Sequence, residues 1–275
     1  MTFAISKSFN AVVLAGAFAL AAPFAAQASS GEMRLERAPV NVDNYASLQA
    51  GARTFVNQCL NCHSAASMRY SKLTEIGLTE AQIKDNLLFA GDRVGELMVA
   101  AMPKKDGKEA FGAVPPDLSV VARARGADWL YTYMRAFYRD PNTVTGWNNL
   151  AFPGVAMPHV LWTLQGQPVL ETRTFDDHAK AEAAVIGSRT FAVLEEHGTG
   201  KDKRYLVKTA KLDKPGSQDA VQYEATVRDL VNFLVWMGEP AQSSRKTIGM
   251  VVLLVLSILI GISYMLKRNF WKDVH

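Results

Sequence analysis

Several features that would indicate a separate enzymatic activity are absent from this sequence. It contains no catalytic triad, phosphate-binding loop or paired-carboxylate motif, and no internal repeat or low-complexity linker. Cysteine is limited to Cys59 and Cys62 among 275 residues. A structural zinc site needs four ligands, and no second cysteine pair exists to complete one. The overall content of 49% hydrophobic and 20% charged residues excludes a disordered chain.

Charge is nearly missing from two stretches of the chain. Residues 1–28 carry only Lys7, and residues 248–266 carry no charged side chain. The net charge of +4 arises from Lys7 and from five cations beside the second stretch, namely Arg245, Lys246, Lys267, Arg268 and Lys272. Without them, residues 29–244 are close to neutral. The excess positive charge therefore lies beside the apolar stretches, where it suits lipid head groups. Nucleic-acid binding loses its only support in the sequence.

The first apolar stretch has the pattern of a secretory signal peptide. Lys7 precedes an apolar run over residues 11–24, and the small residues Ala26 and Ala28 fit the pattern recognised by signal peptidase. We expect residues 1–28 to be removed after Ala28; an uncleaved N-terminal anchor is the alternative. In either case the following domain is exported.

The second apolar stretch has the length of a membrane span. Residues 248–266 cover about 28 Å as a helix at ~1.5 Å per residue, which matches a hydrocarbon core of roughly 30 Å. The sequence therefore predicts a soluble domain over residues 29–244, a transmembrane helix over 248–266 and a cytoplasmic tail over 267–275. In a Gram-negative bacterium the soluble domain would face the periplasm, anchored in the inner membrane.

The two cysteines lie in the segment Cys59-Leu60-Asn61-Cys62-His63, for which three interpretations compete. A zinc site would lack ligands, because the adjacent residues Cys62 and His63 cannot easily bind one tetrahedral ion together with Cys59. A redox-active dithiol would follow a strand, whereas the preceding residues have a helical pattern. Covalent haem attachment needs this spacing, because the two thiols add to two vinyl groups and His63 then faces the iron. An exported chain with no other cysteine favours haem c.

A sixth iron ligand must come from another part of the chain. Methionine opposite histidine is the usual pair for electron transfer, and Met102 and Met157 both stand in an Ala-Met-Pro tripeptide. We favour Met157, because its loop is apolar and rich in proline and glycine. Met102 is expected at the end of a helical stretch, followed by a solvated turn over residues 104–107. His159 is the main rival ligand, although a lone loop histidine is more often a surface or hydrogen-bonding residue.

Apolar periodicity predicts a mainly α-helical domain. One expected helix is capped by Asp43 or Asn44 and leads into Cys59, and another starts at Thr79 with Gln82 as its capping-box partner. A short helix is expected over residues 94–98. A further helix is capped by Asp128 and continues through Phe137, and a last soluble helix runs through residues 227–234 and stops at Gly238. The pattern weakens between residues 165 and 222, where residues 191–194 and 205–207 predict a β-hairpin. His178 and His197 are expected at the surface.

In several ordered motifs the sequence resembles the cytochrome c1 family, the membrane-anchored haem subunits of quinol–cytochrome c oxidoreductase. The matching residues are Gly51 and Phe55, the segment 59–64, Arg69-Tyr70, Pro115-Pro116-Asp117-Leu118-Ser119, Arg123-Ala124-Arg125, Gly154-Val155-Ala156-Met157-Pro158, Trp236-Met237-Gly238-Glu239-Pro240 and the terminal apolar helix. The resemblance covers about residues 35–165 and 220–275. The stretch from about 165 to 222 departs from the family and reads as an insertion.

The resemblance implies a class I cytochrome c fold with insertions and one haem c. It implies covalent attachment through Cys59 and Cys62, iron ligation by His63 and Met157, and a propionate contact by Arg125, with Arg123 as the second candidate. The implied partners are cytochrome b, the Rieske iron–sulfur protein as donor, a cytochrome c as acceptor and a dimeric complex. The alternative function is a free-standing tethered cytochrome that serves an oxidase or reductase. Acidic pairs such as Asp176-Asp177 and Glu195-Glu196 either steer a basic acceptor or are solvated surface.

Overall fold

A computed structural model describes residues 34–188 and 190–272 of the protein. The predicted signal peptide and the last three residues of the predicted tail lie outside these described residues. Within them the α-helices are α1 Tyr45–Thr54, α2 Glu80–Asn86, α3 Lys104–Phe111, α4 Val121–Arg125, α5 Ala127–Arg135, α6 Trp162–Gln165, α7 His178–Ile186, α8 Ala220–Gly238 and α9 Gln242–Phe270. A π-helical turn covers Phe55–Cys59, and 3-10 helices cover Tyr70–Ile76 and Gly200–Asp202.

The described residues also form two β-sheets. The strands are β1 Ala65–Arg69, β2 Leu97–Met98, β3 Phe137–Arg139, β4 Trp147–Asn149, β5 Gly166–Phe175, β6 Ala192–His197 and β7 Arg204–Pro215. β1 and β2 pair with each other, and the other strands form one sheet in the order β4-β3-β5-β7-β6. β3 and β5 are parallel, and the remaining neighbours are antiparallel. The domain is mainly helical, as expected, with more strand than a single hairpin.

The predicted helix into the cysteine segment is confirmed and has an unusual end. The Asn44 side chain accepts a hydrogen bond from the Ser47 backbone N–H and so caps α1. The helix then widens into the π-helical turn, where the Leu60 N–H reaches the Phe55 carbonyl over 3.0 Å. π-Helical turns inside α-helices occur frequently at functional sites. This one delivers Cys59 to the cavity described below.

Helices α1 and α8 cross in close contact in the main hydrophobic core. Leu48, Phe55, Leu230 and Phe233 are completely or almost completely buried in this core. Gly51 stands at the crossing point, where a Cβ atom would lie 2.6 Å from the Phe233 Cβ atom. The absence of a side chain at Gly51 therefore sets the separation of the two helices.

The prediction of a helix over residues 94–98 is wrong. Residues 92–96 form turns and bends, and Leu97–Met98 is strand β2. Five residues close too few helical hydrogen bonds to offset the cost of helix nucleation. Instead the Val94 and Glu96 carbonyls accept hydrogen bonds from the backbone of Ser71 and Tyr70.

Two neighbouring expectations also need correction. Residues 104–107, expected to be a solvated turn after a helix, begin helix α3, and Met102 precedes that helix in a bend. Pro103 supplies the entry to α3, because its fixed φ suits a helix start. Asp128 does not cap α5, because Gly126 occupies the cap position and Asp128 Oδ1 accepts a hydrogen bond from the Ala38 N–H at 2.7 Å. The helix ends at Arg135, so Phe137 belongs to β3.

The predictions for Thr79 and for the last soluble helix are confirmed. Thr79 and Gln82 form a capping box at the start of α2. Helix α8 ends at Gly238, and its own capping box pairs Asp219 with Gln222. Beyond it, the apolar part of α9 runs over Thr247–Phe270 and none of it is buried against the described chain. Its 24 residues are enough to cross a membrane and include the predicted span at 248–266.

The predicted insertion folds as the larger part of the five-stranded sheet. The expected hairpin is confirmed as β6 and β7, which pair from Ala192–Thr209 to His197–Arg204. Strand β5 adds a third long strand against β7, and helix α7 packs on this unit. His178 and His197 are exposed, as expected.

Candidate functional site

One apolar cavity brings together the cysteine segment and the favoured methionine. Its volume is about 320 Å³. Its wall includes Cys59, Cys62, His63, Met157 and the loop residues 113–116. Helices α5 and α8 complete the wall with Leu130, Tyr133, Met134, Leu230 and Leu234. We call this space the central cavity.

The cysteine segment presents two free thiols and one imidazole to the central cavity. Neither Cys59 nor Cys62 forms a disulfide. Burial raises the pKa of the Cys59 thiol to about 12 and raises that of Cys62, so both thiols are protonated near neutral pH. A redox-active dithiol has the opposite property, a lowered thiol pKa, and follows a strand rather than a helix. The geometry therefore disfavours that interpretation.

The hydrogen bond of His63 fixes which of its nitrogens faces the central cavity. His63 Nδ1 lies 2.8 Å from the Pro116 carbonyl oxygen, which can only accept, so Nδ1 carries the proton. Burial lowers the pKa of His63 and keeps the imidazole neutral. The Nε2 lone pair is thus available to a metal, in the orientation that such backbone partners commonly impose on ligating histidines.

The loop that supports His63 is held by Asp117. Its two carboxylate oxygens accept hydrogen bonds from the backbone N–H groups of Ala66 and Ser119, each at 2.8 Å. These bonds lower the pKa of Asp117 although burial alone would raise it. The carboxylate thus ties the loop carrying Pro116 to strand β1, which follows the cysteine segment.

Met157, and not Met102, lies in the wall of the central cavity. Met157 Sδ accepts a hydrogen bond from the Tyr133 hydroxyl at 3.4 Å. Met102 is not among the described residues of the wall, and its sulfur packs near Gly107 in α3. The structure brings Met157 together with Cys59, Cys62 and His63 around one space.

His159 is buried outside the central cavity. Its surface is fully covered, and its ring stacks on Phe137 with centroids 4.8 Å apart. His159 Nε2 donates to the Gln165 Oε1 atom at 2.7 Å. The expectation of a hydrogen-bonding residue holds, but a surface position is wrong because three aromatic rings enclose it. Burial lowers its pKa to about 4.

The two candidate arginines have different surroundings. Arg125 lines the central cavity, and its guanidinium carbon lies 5.1 Å from the centre of the Trp129 ring. The Arg123 guanidinium instead lies 3.9 Å from the Glu239 carboxylate, and Arg123 is not among the described residues of the wall. Helical phase separates them, because residues two apart on α4 point in different directions.

Sequence reasoning missed the part that Tyr133 plays in this site. Trp129 and Tyr133 on α5 both line the central cavity, a role that apolar periodicity alone does not distinguish from core packing. The spacing carries part of this signal, because Trp129 and Tyr133 are four positions apart and share one face of α5, whereas Arg125 ends the preceding helix α4. The contact with Met157 could not be predicted, because it joins residues 24 positions apart.

Three of the four residues in the two acidic pairs lie beside a cation. Asp176 pairs with Arg204 at 3.1 Å, Glu195 with Lys208 at 2.6 Å and Glu196 with Lys203 at 2.7 Å. Asp177 caps helix α7. Compensated charges of this kind produce little long-range field, which favours solvated surface over steering of a basic acceptor.

Comparison with known proteins identifies relatives along most of the chain. The family model described as the Cytochrome C1 family matches residues 214–274. A protein named ammonia monooxygenase gamma subunit from Nitrosomonas europaea is 45% identical over 93% of this chain and 95% of its own length. Cytochrome c1 from Allochromatium vinosum is 41% identical over 94% of this chain and 97% of its own length. A mitochondrial cytochrome c1, heme protein, from Schizosaccharomyces pombe is 26% identical over 84% of this chain and 68% of its own length. With relatives this similar over nearly its whole length, the chain belongs to the cytochrome c1 family.

Proposed function

We propose that this protein is the haem c electron-transfer subunit of a quinol–cytochrome c oxidoreductase. It receives an electron from the Rieske iron–sulfur protein and passes it to a cytochrome c. The observation that carries the proposal is the meeting of Cys59, Cys62, His63 and Met157 in the wall of one apolar cavity. Haem c, when bound, supplies a one-electron redox centre. A member of this family carries a single covalent haem c.

The residues of the cavity wall fit that group. The thiols of Cys59 and Cys62 would hold the group by adding across its two vinyl groups, sulfur to one carbon and hydrogen to the other, so no oxidant or reductant would be consumed. His63 offers the Nε2 lone pair from one side, because its Nδ1–H is committed to the Pro116 carbonyl. Met157 offers its sulfur from the loop wall, and methionine opposite histidine raises the reduction potential. With His63 and Met157 both committed to the iron, the site would leave no open position for a small substrate and would supply electron transfer alone.

The remaining architecture follows from this assignment. The fold is a class I cytochrome c core in which residues 165–222 form an insertion. Arg125, exposed at one end and lining the central cavity, is placed to pair with a propionate. Arg123 is the weaker candidate, since Glu239 already faces its guanidinium.

A single C-terminal helix anchors the haem domain to the membrane. We propose that residues 1–28 direct export, that residues 29–244 face the periplasm and that residues 267–275 remain in the cytoplasm. The helix at 248–266 then lies in the lipid bilayer beside cytochrome b, in a dimeric complex. The cations at its two ends suit anionic lipid head groups.

Purification from native membranes in a mild detergent, followed by mass spectrometry of the companions, tests this function. Stoichiometric recovery of a multi-haem cytochrome b and a Rieske protein is the expected result. Recovery alone or with an oxidase would favour a free-standing tethered cytochrome. Recovery with the subunits of a monooxygenase would instead favour the function in the name of the N. europaea relative.

A further inference from the structure

The hydroxyl group of Tyr133 reaches the sulfur atom of Met157 inside the central cavity. The Oη–Sδ distance is 3.4 Å, within the range of a hydrogen bond to sulfur. A hydroxyl group has one proton to donate, and a thioether sulfur is a weak acceptor with no proton of its own. The direction of the bond is therefore fixed, with Tyr133 donating and Met157 accepting.

The ring of Tyr133 is held firmly enough to aim this hydroxyl. It stacks on Trp129 with centroids 4.8 Å apart and meets the edge of Phe137 at 5.1 Å. Tyr133 is 8% exposed, so water has little access to compete for the bond. Both aromatic neighbours lie four residues away along the chain, which fixes the ring to the backbone of α5 and β3.

The bond to Tyr133 leaves Met157 able to bind a metal. A thioether sulfur has two lone pairs, so one can accept the hydrogen bond from the hydroxyl while the other would remain available to iron. The two bonds compete for the electron density of the same atom. The hydroxyl also turns its positive end toward the sulfur, in a cavity whose low dielectric constant strengthens such dipoles.

We propose that Tyr133 is a positioning residue that holds Met157 in place as an axial ligand and raises the reduction potential of the site. This inference rests on the proposed ligation by Met157. Withdrawal of electron density weakens the sulfur as a donor to ferric iron more than to ferrous iron. The positive end of the hydroxyl dipole acts in the same direction. Both effects favour the reduced state, and hydrogen bonding around an axial ligand is one of the ways in which proteins tune haem potentials.

The Tyr133→Phe variant of the full-length haem-loaded protein tests the proposal. It removes the hydroxyl and keeps the ring that packs on Trp129 and Phe137. We expect the equilibrium constant for reduction to fall by up to about tenfold, which is about 59 mV for a one-electron couple. The sulfur-to-iron absorption band of the oxidised protein is expected to weaken or shift as well.

Tyr131→Phe is the matched control on the same helix. The Tyr131 hydroxyl donates to the Glu224 carboxylate at 3.0 Å and is not in the described wall of the central cavity. Loss of this bond is expected to lower stability while leaving the potential within about twofold in equilibrium constant. Equal shifts in the two variants would show that the effect is structural and would overturn the proposal.

Two further measurements keep the result decisive. Incorporation of 3-fluorotyrosine at position 133 makes the phenol a stronger donor and is expected to raise the potential, opposite to Tyr133→Phe. An unchanged or raised potential in Tyr133→Phe overturns the inference. The Met157→Leu variant then distinguishes a failure of the proposed role of Tyr133 from a failure of the proposed ligand Met157. If it lowers the potential while Tyr133→Phe does not, ligation stands and the role of Tyr133 fails; if it has no effect, the ligand assignment itself fails.

Discussion

The closest approach of helices α1 and α8 makes Gly51→Ala the most informative substitution away from the cavity. An added Cβ atom would lie 2.6 Å from the Phe233 Cβ atom and even nearer to the backbone carbonyl oxygen of Asp229. Carbon atoms in good contact are separated by about 3.5–4.0 Å. The helices must therefore move apart by about 1 Å, because a backbone carbonyl cannot rotate away as a side chain can.

The expected cost can be estimated from this geometry. Overpacking in a core costs about 1–3 kcal/mol, and a clash with backbone belongs at the upper end. Alanine recovers about 1 kcal/mol of helix propensity over glycine. The net loss of about 2 kcal/mol lowers Tm by roughly 4–8 °C in a protein of this size. Leu230 and Leu234 of α8 line the central cavity, so the same displacement would also reach the cavity wall.

Thermal unfolding of the purified haem-loaded protein, followed by circular dichroism, measures this effect. Gly95→Ala is the control, since an added Cβ atom there meets nothing within 4 Å. The control is expected to leave Tm within about 1 °C. A Gly51→Ala protein with an unchanged or higher Tm would refute the close packing of α1 on α8.

Two further predictions concern pH and charge. Burial lowers the pKa of His159 to about 4 from an ordinary 6.5. The neutral imidazole therefore contributes about 3 kcal/mol to the free energy of unfolding above pH 6.5, and this contribution is lost as the pH falls toward 4. Chemical denaturation between pH 7 and 4 is expected to show a flatter pH dependence in His159→Gln, and identical slopes would contradict the buried neutral imidazole. Removing the cation in Arg125→Gln is expected to lower the equilibrium constant for reduction about two- to threefold, a modest change because solvent screens an exposed charge. Potentiometry checks this against Arg123→Gln, and a larger shift in the Arg123 variant would reverse the assignment of the propionate contact.

Local signals were sufficient to predict one end each of helices α1, α2 and α8. Asn44, Thr79 and the glycine at 238 mark helix ends through caps and turn geometry that act within a few residues. The order of Cys59, Cys62 and His63 likewise follows from spacing along one segment. These features could be predicted because their physical causes lie within one or two helical turns.

Features that depend on distant partners could not be predicted in the same way. Strand β2 exists because Leu97–Met98 pairs with β1, about thirty residues earlier in the chain. No pattern within residues 94–98 predicts this pairing. The parallel contact of β3 with β5 joins Arg139 to Val169 and turns a hairpin into a five-stranded sheet. The burial of His159 depends on three aromatic rings from separate elements.

The central claim is that Met157 supplies the ligand opposite His63. In Met157→Leu the haem is expected to stay attached through Cys59 and Cys62. The equilibrium constant for reduction is expected to fall at least tenfold, about 59 mV for one electron, since a strong tuning ligand is lost. The reduced variant is expected to bind carbon monoxide, whereas the unsubstituted protein is expected to exclude it.

Met102→Leu is the matched control, because Met102 stands in the same tripeptide but outside the described wall of the central cavity. It is expected to keep the potential and to exclude carbon monoxide. The measurement to make is therefore carbon monoxide binding to the reduced forms of the two variants. Binding only in Met157→Leu is the predicted result. Binding only in Met102→Leu, or in neither variant, would contradict the assignment of Met157.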